Sequence, residues 1–108
     1  MIRVAGLDGA RAALANAQGQ AVTLISPPLS QPGLGWWRAL VRALRAEFPD
    51  LDFQAVADCG PSAGLALAAL RAGLGPVAAE VPAEVWNKLN DIATQAGTWM
   101  AKGEDAAP

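Results

Sequence analysis

The chain contains no histidine, no tyrosine, one cysteine and two lysines. Without histidine it lacks the usual general base at neutral pH, the commonest zinc ligand, and every Ser-His or Cys-His nucleophile pair. The lone Cys59 excludes an intramolecular disulfide, and an unpaired thiol fits a reducing compartment, so a cytoplasmic location is expected. The two lysines, Lys88 and Lys102, fall in the last helix and in the tail, which argues against a buried Schiff-base lysine. No run approaches the roughly 20 apolar residues that span a bilayer. Asp8 and Arg11 interrupt the Ala-rich N-terminal stretch that would otherwise invite reading as a signal peptide. No membrane association is expected.

Charge is scarce as well. Charged residues make up 17% of the chain, with a formal net charge of -2. The basic excess of a nucleic-acid binder is missing, so no nucleic-acid partner is expected. There is no phosphate-binding loop with its lysine, and Gly33-Leu34-Gly35 runs into Trp36 and Trp37 where a dinucleotide fingerprint needs a further glycine. No cofactor and no metal site are expected.

What is present is apolar mass, 53% of 108 residues. That suffices for one folded domain with a real core, expected over residues 1–102 with a flexible tail at 103–108. Short β-branched runs alternate with longer Ala/Leu-rich periodic ones. Strands are expected at Ile2–Ala5, Ala21–Ser26, Phe53–Asp58 and Gly75–Glu80. Helices are expected over Gly9–Gln18 with Asp8 as N-cap, Trp36–Phe48, Ser62–Ala72, and from Pro82 to Gly97. In the second of these Trp37, Leu40, Val41, Leu44 and Phe48 form one apolar face. Arg38, Arg42 and Arg45 form the other, which is either a contact for RNA or an acidic partner or, as the net acidity favours, a solvated face. In the last, Val85, Leu89, Ile92 and Ala96 mark the apolar stripe. Thr98–Ala101 fits neither pattern clearly. The fold class is therefore α/β, with about four parallel strands and four helices joined by right-handed crossovers. A three-layer and a partial-barrel arrangement both fit.

In parallel α/β sheets ligands bind beyond the carboxyl ends of the strands. Three loops reach that edge, and they hold Ser26, Trp36, Asp58, Cys59, Gly60, Ser62 and Glu80, which form the candidate ligand site. Gly60 permits a strained turn, and Ser62 opens a helix whose first amides suit an anion, although capping alone explains it. Asp58 and Glu80 are either an acid/base pair or strand-end acids that cap a loop amide or meet an arginine. Cys59 beside a helix start is either an activated thiol or a small buried side chain. Of Trp36 and Trp37, one turns to the core. No catalytic residue is assigned.

The segment Ala63-Gly64-Leu65-Ala66-Leu67-Ala68-Ala69-Leu70 is apolar on nearly every face, and a helix of that kind is normally covered on more than one side. A homo-oligomer is expected on that ground.

The segments LISPP (Leu24 to Pro28), GWWRALVRALRAEFPD (Gly35 to Asp50) and DCGPSAGLALAALRAG (Asp58 to Gly73) resemble a family of small proteobacterial α/β proteins of about this length. The resemblance runs from about Asp8 to Gly97; it implies the fold and brings no activity. Ser62-Ala63-Gly64-Leu65 is also similar to the Asp-Ser-Ser-Gly-Leu turn of anti-sigma factor antagonist (STAS) domains, whose serine is phosphorylated at a helix start. That resemblance implies Ser62 as the modified position, with Pro61 in place of the acidic residue and Ala63 in place of the second serine. Two functions follow from the sequence. The first is a non-catalytic module binding a small anion or a protein at the strand edge. The second is a small enzyme using Asp58, Cys59 and Glu80.

Overall fold

The computed structural model describes residues 1–101, so the tail expected at residues 103–108 lies outside the described residues. Strands β1 (Ile2–Arg3), β2 (Val22–Ile25), β3 (Phe53–Asp58), β4 (Val77–Ala78) and β5 (Met100–Ala101) alternate with helices α1 (Leu7–Ala15), α2 (Leu34–Glu47), α3 (Ala63–Arg71) and α4 (Ala83–Gln95). All strands are parallel and stand in sequence order, β1-β2-β3-β4-β5. When every crossover moves one strand onward with the same hand, every helix lands on the same side of the sheet.

The packing agrees with that rule. Leu14 of α1, Trp37 and Leu44 of α2, Ala66 and Leu70 of α3, and Leu89 and Ala93 of α4 share one buried cluster with Leu24, Phe53, Ala55, Ala57 and Val77 of the sheet. The opposite face carries a second cluster of Ile25, Val56, Ala78 and Ala101, with Met1 and Trp99 packed against it and no described helix contributing. The expected α/β class is therefore present. Of the three-layer and partial-barrel arrangements the sequence left open, the three-layer one is not adopted. The sheet is singly wound, with helices on one face and strands in sequence order, as in part of a barrel.

α2 forms where the sequence places its strongest helical periodicity. Trp37, Leu40 and Leu44 are buried, and Val41 and Phe48 are partly so. The buried Leu40 and Leu44 each contribute about 1.5–3 kcal/mol by leaving water, and the partly buried side chains less. α3 starts on Ser62, whose hydroxyl accepts the Leu65 N–H at 3.0 Å, and stops at Gly73, in the left-handed region at φ 74°.

Three local expectations are corrected. Asp8 is not an N-cap: the Ala10 N–H bonds the Gly6 carbonyl at 3.1 Å, and α1 begins at Leu7. That start puts Leu7, Ala10 and Leu14 on one stripe against the sheet. On α4 the buried residues are Leu89 and Ala93, with Val85 and Trp86 partly buried, whereas Ile92 and Ala96 are exposed. The buried face is rotated toward Trp86 relative to the stripe the sequence suggests. The ambiguous Thr98–Ala101 segment supplies a fifth strand. Hydrogen bonds to β4 create it, from Val77 N–H to the Trp99 carbonyl and from Ala79 N–H to the Ala101 carbonyl, both 3.2 Å. No helix among the described residues is long and apolar enough to cross a membrane.

Candidate functional site

The loops after β2, β3 and β4 meet at the carboxyl edge, as parallel strands in sequence order require. The Ser26 N–H bonds the Val56 carbonyl, the Leu29 N–H bonds the Asp58 carbonyl and the Cys59 N–H bonds the Ala78 carbonyl, each at 2.9 Å, and the Glu80 N–H bonds the Gly60 carbonyl at 2.8 Å. These bonds tie Ser26, Asp58, Cys59, Gly60 and Glu80 into one ledge.

Asp58 is the centre of this ledge. Its Oδ2 accepts from Arg3 Nη1 at 2.8 Å, and its Oδ1 accepts the Gly60 N–H at 2.9 Å. Arg3 Nη1 also donates to the Ser26 carbonyl. The register explains the reach. Arg3 stands opposite Ile25, and Ile25 opposite Val56. Arg3 and Asp58 thus share the helix-free face, and the long arginine stem crosses β2 on the diagonal. Both structural roles foreseen for a strand-end acid, capping a loop amide and meeting an arginine, are carried by the same carboxylate. Arg3 itself was not singled out in the sequence. The available signal was its place between Ile2 and Val4 in a short strand, where alternation sends a charge to the face opposite its apolar neighbours.

Ser26 is fully buried, and its hydroxyl accepts the Asp58 N–H at 2.8 Å while donating to the Pro27 carbonyl at 2.7 Å. Cys59 is buried, with Sγ 3.8 Å from the Ala57 carbonyl. Burial, and secondarily the Asp58 carboxylate next to it, push its thiol up to about 12. Glu80 and Ser62 are exposed, and Trp36 is partly buried against the main core with its ring centroid 6.2 Å from that of Trp37, which is fully buried. Asp58, Cys59 and Glu80 thus lie on adjoining strand ends, with Asp58 drawn to Arg3, Cys59 buried, and only Glu80 open to solvent. Among the described residues no group of three or more His, Cys, Asp or Glu side chains is placed to hold a metal ion.

The arginine face of α2 differs from the solvated surface expected of it. Arg38 is partly buried and donates to the carbonyl of Ala72 at the end of α3. The Arg45 guanidinium lies 4.4 Å above the Phe53 ring centroid and donates to the Phe53 carbonyl at 3.5 Å. Two of the three arginines therefore fasten α2 to its neighbours, and Arg42 stays exposed between them.

No protein-family model, no curated protein and no solved structure matches this chain.

Proposed function

We propose that this protein is a non-catalytic binding or assembly module that receives a small anion or a protein partner at the carboxyl ends of its strands. One observation carries the reading: the reactive groups of that edge are already committed to one another. Both Asp58 oxygens have partners, the Ser26 hydroxyl both donates and accepts, and the Cys59 thiol is buried and raised to about 12. A thiol raised that far stays protonated at neutral pH, and the thiolate is the nucleophile. The groups left accessible, Ser62, Glu80 and part of Trp36, suit recognition more than chemistry. Assembly with a second copy belongs to the same reading. Gly64 and Ala68 of α3 are exposed, and side chains so small permit close approach of a neighbouring backbone.

The experiment is native mass spectrometry of the gently purified protein, paired with titration of Cys59 by a thiol reagent. A bound small mass or a homo-oligomer, together with labelling that requires denaturant, supports the module. A bare monomer whose Cys59 labels fast in the native state overturns it in favour of the small enzyme using Asp58, Cys59 and Glu80.

A second reading has its own observation. The Ser62 side chain is exposed at the start of α3, where a phosphate would meet the positive end of the helix. A regulatory role through phosphorylation of Ser62 requires that Ser62→Asp change partner binding in the folded protein. Unaltered binding removes it.

A further inference from the structure

A second feature lies on the helical layer, apart from the strand edge. Between α2 and the C-terminal end of α3 a cavity of about 410 Å³ is lined by Arg38, Arg42 and Arg45 together with Val41, Ala72 and Leu74. Its size is that of a small-molecule site. The chain has eight cationic side chains and a formal net charge of -2, yet three of the eight converge here.

Among the described residues no carboxylate compensates this charge. Arg3 pairs with Asp58, and Arg11 with Asp8 and Glu47. Among the described residues none of Arg38, Arg42 and Arg45 pairs with a carboxylate. Like charges three and four residues apart on one helix face repel, so the arrangement is unfavourable until an anion enters. Two of the three guanidinium groups are also held in place. Arg38 is anchored by the Ala72 carbonyl, and Arg45 by the ring and carbonyl of Phe53. A guanidinium has five N–H donors, so each anchored group keeps donors for a ligand while its rotamer entropy is already reduced.

We propose that this groove binds a small molecule bearing a diphosphate group. The forked guanidinium matches phosphate oxygens in pairs. The row from Arg38 to Arg45 spans seven residues, about 10 Å along a helix, which is longer than a single phosphate, so two linked phosphates can engage more of its donors than one can. Val41 and Leu74 provide an apolar wall for whatever the diphosphate carries. A long polyanion is disfavoured by the net negative charge of the whole chain.

The test is titration of the full chain with inorganic pyrophosphate at low ionic strength, followed by calorimetry and by amide chemical shifts. Orthophosphate, a hepta-glutamate peptide and the variant Arg42→Ala serve as comparisons. The expected result is saturable one-to-one binding, at least tenfold tighter for pyrophosphate than for orthophosphate. Shifts should centre on Arg38–Arg45 and Ala72–Leu74. Arg42→Ala should weaken binding tenfold or more without lowering the unfolding midpoint, because Arg42 makes no internal bond among the described residues and its loss relieves repulsion from Arg38 and Arg45. Absence of saturable binding at millimolar pyrophosphate, equal affinity in Arg42→Ala, or preference for the glutamate peptide each overturns the proposal. Shifts confined to the strand edge around Ser62 and Glu80 overturn it too, and would assign the anion to the other site.

Discussion

Gly75, just before β4, lies so close to Thr98, just before β5, that a Cβ on the glycine would sit 2.4 Å from Thr98 Cγ2 and 2.6 Å from its Oγ1. Real Cβ contacts do not approach so closely, and the β-branched threonine has little freedom to swing aside. Gly75→Ala is expected to destabilise the domain by about 1–3 kcal/mol through overpacking. Thr98→Ala in the same chain should return part of that loss, giving a non-additive cycle in chemical denaturation. An additive cycle would show that the two loops yield independently.

The Arg3–Asp58 pair is partly shielded, with side-chain exposures of 34% and 13%. Its charged hydrogen bond is expected to contribute about 1–2 kcal/mol, between the values of an exposed pair and a buried one. Arg3→Met keeps the stem and removes the charge together with the bond to the Ser26 carbonyl, so denaturant midpoints of that variant measure the polar contributions of Arg3 taken together. Adding Asp58→Asn should recover some of the loss, because the acid then no longer lacks its counterion.

Ser26→Ala removes the acceptor of the Asp58 N–H at a fully buried position. The orphaned amide costs about 1–3 kcal/mol. Amide exchange at Asp58 should accelerate more than at neighbouring residues of β3, which separates loss of this bond from a general loosening.

Cys59 provides a pH signature with a definite sign. Its thiol is raised from 9.0 to about 12 in the folded chain. Across that interval the unfolded chain has released its proton while the folded chain retains it, so the unfolded state binds fewer protons and stability falls as pH rises. The slope from this one group reaches at most about 1.4 kcal/mol per pH unit. Thermal melts of Cys59→Ala between about pH 9 and 11 should show a shallower decline than the parent chain.

Ser62→Ala should cost about 1 kcal/mol by leaving the Leu65 N–H without its cap. Ser62→Asp should keep the cap and the unfolding midpoint, since aspartate accepts the same bond and suits the helix start. Circular-dichroism melts of the two variants distinguish these outcomes.

Much of the molecule follows from short-range rules. β3 matches its expected bounds, Phe53–Asp58, because a short, largely apolar run carrying Phe53 and Val56 between Pro49 and Gly60 has few other uses. α2 and α3 fall within two residues of their sequence limits, since helical periodicity, a serine cap and Gly73 are local signals. The absence of histidine, tyrosine and a second cysteine is likewise complete in the sequence. The candidate edge loops were legible for the same reason: parallel βα units place them together wherever the strands exist.

Other features needed the assembled fold. β5 is two residues long and exists through its bonds to β4. The buried side of α4 was set by which neighbour it met, with Ile92 exposed and Ala93 buried. Arg3 and Asp58 are separated by 55 residues and became partners through the order of three strands. Arg38 and Arg45 passed from a solvated face to fasteners because α3 and β3 presented carbonyls and a ring to them. The sequence by itself determined the βα rhythm and the chemistry this chain lacks, through backbone propensity and side-chain inventory. The tertiary structure decided the singly wound order, the fifth strand and every long-range polar partner, because those depend on which surfaces meet, and non-local contacts leave no periodic trace in the chain.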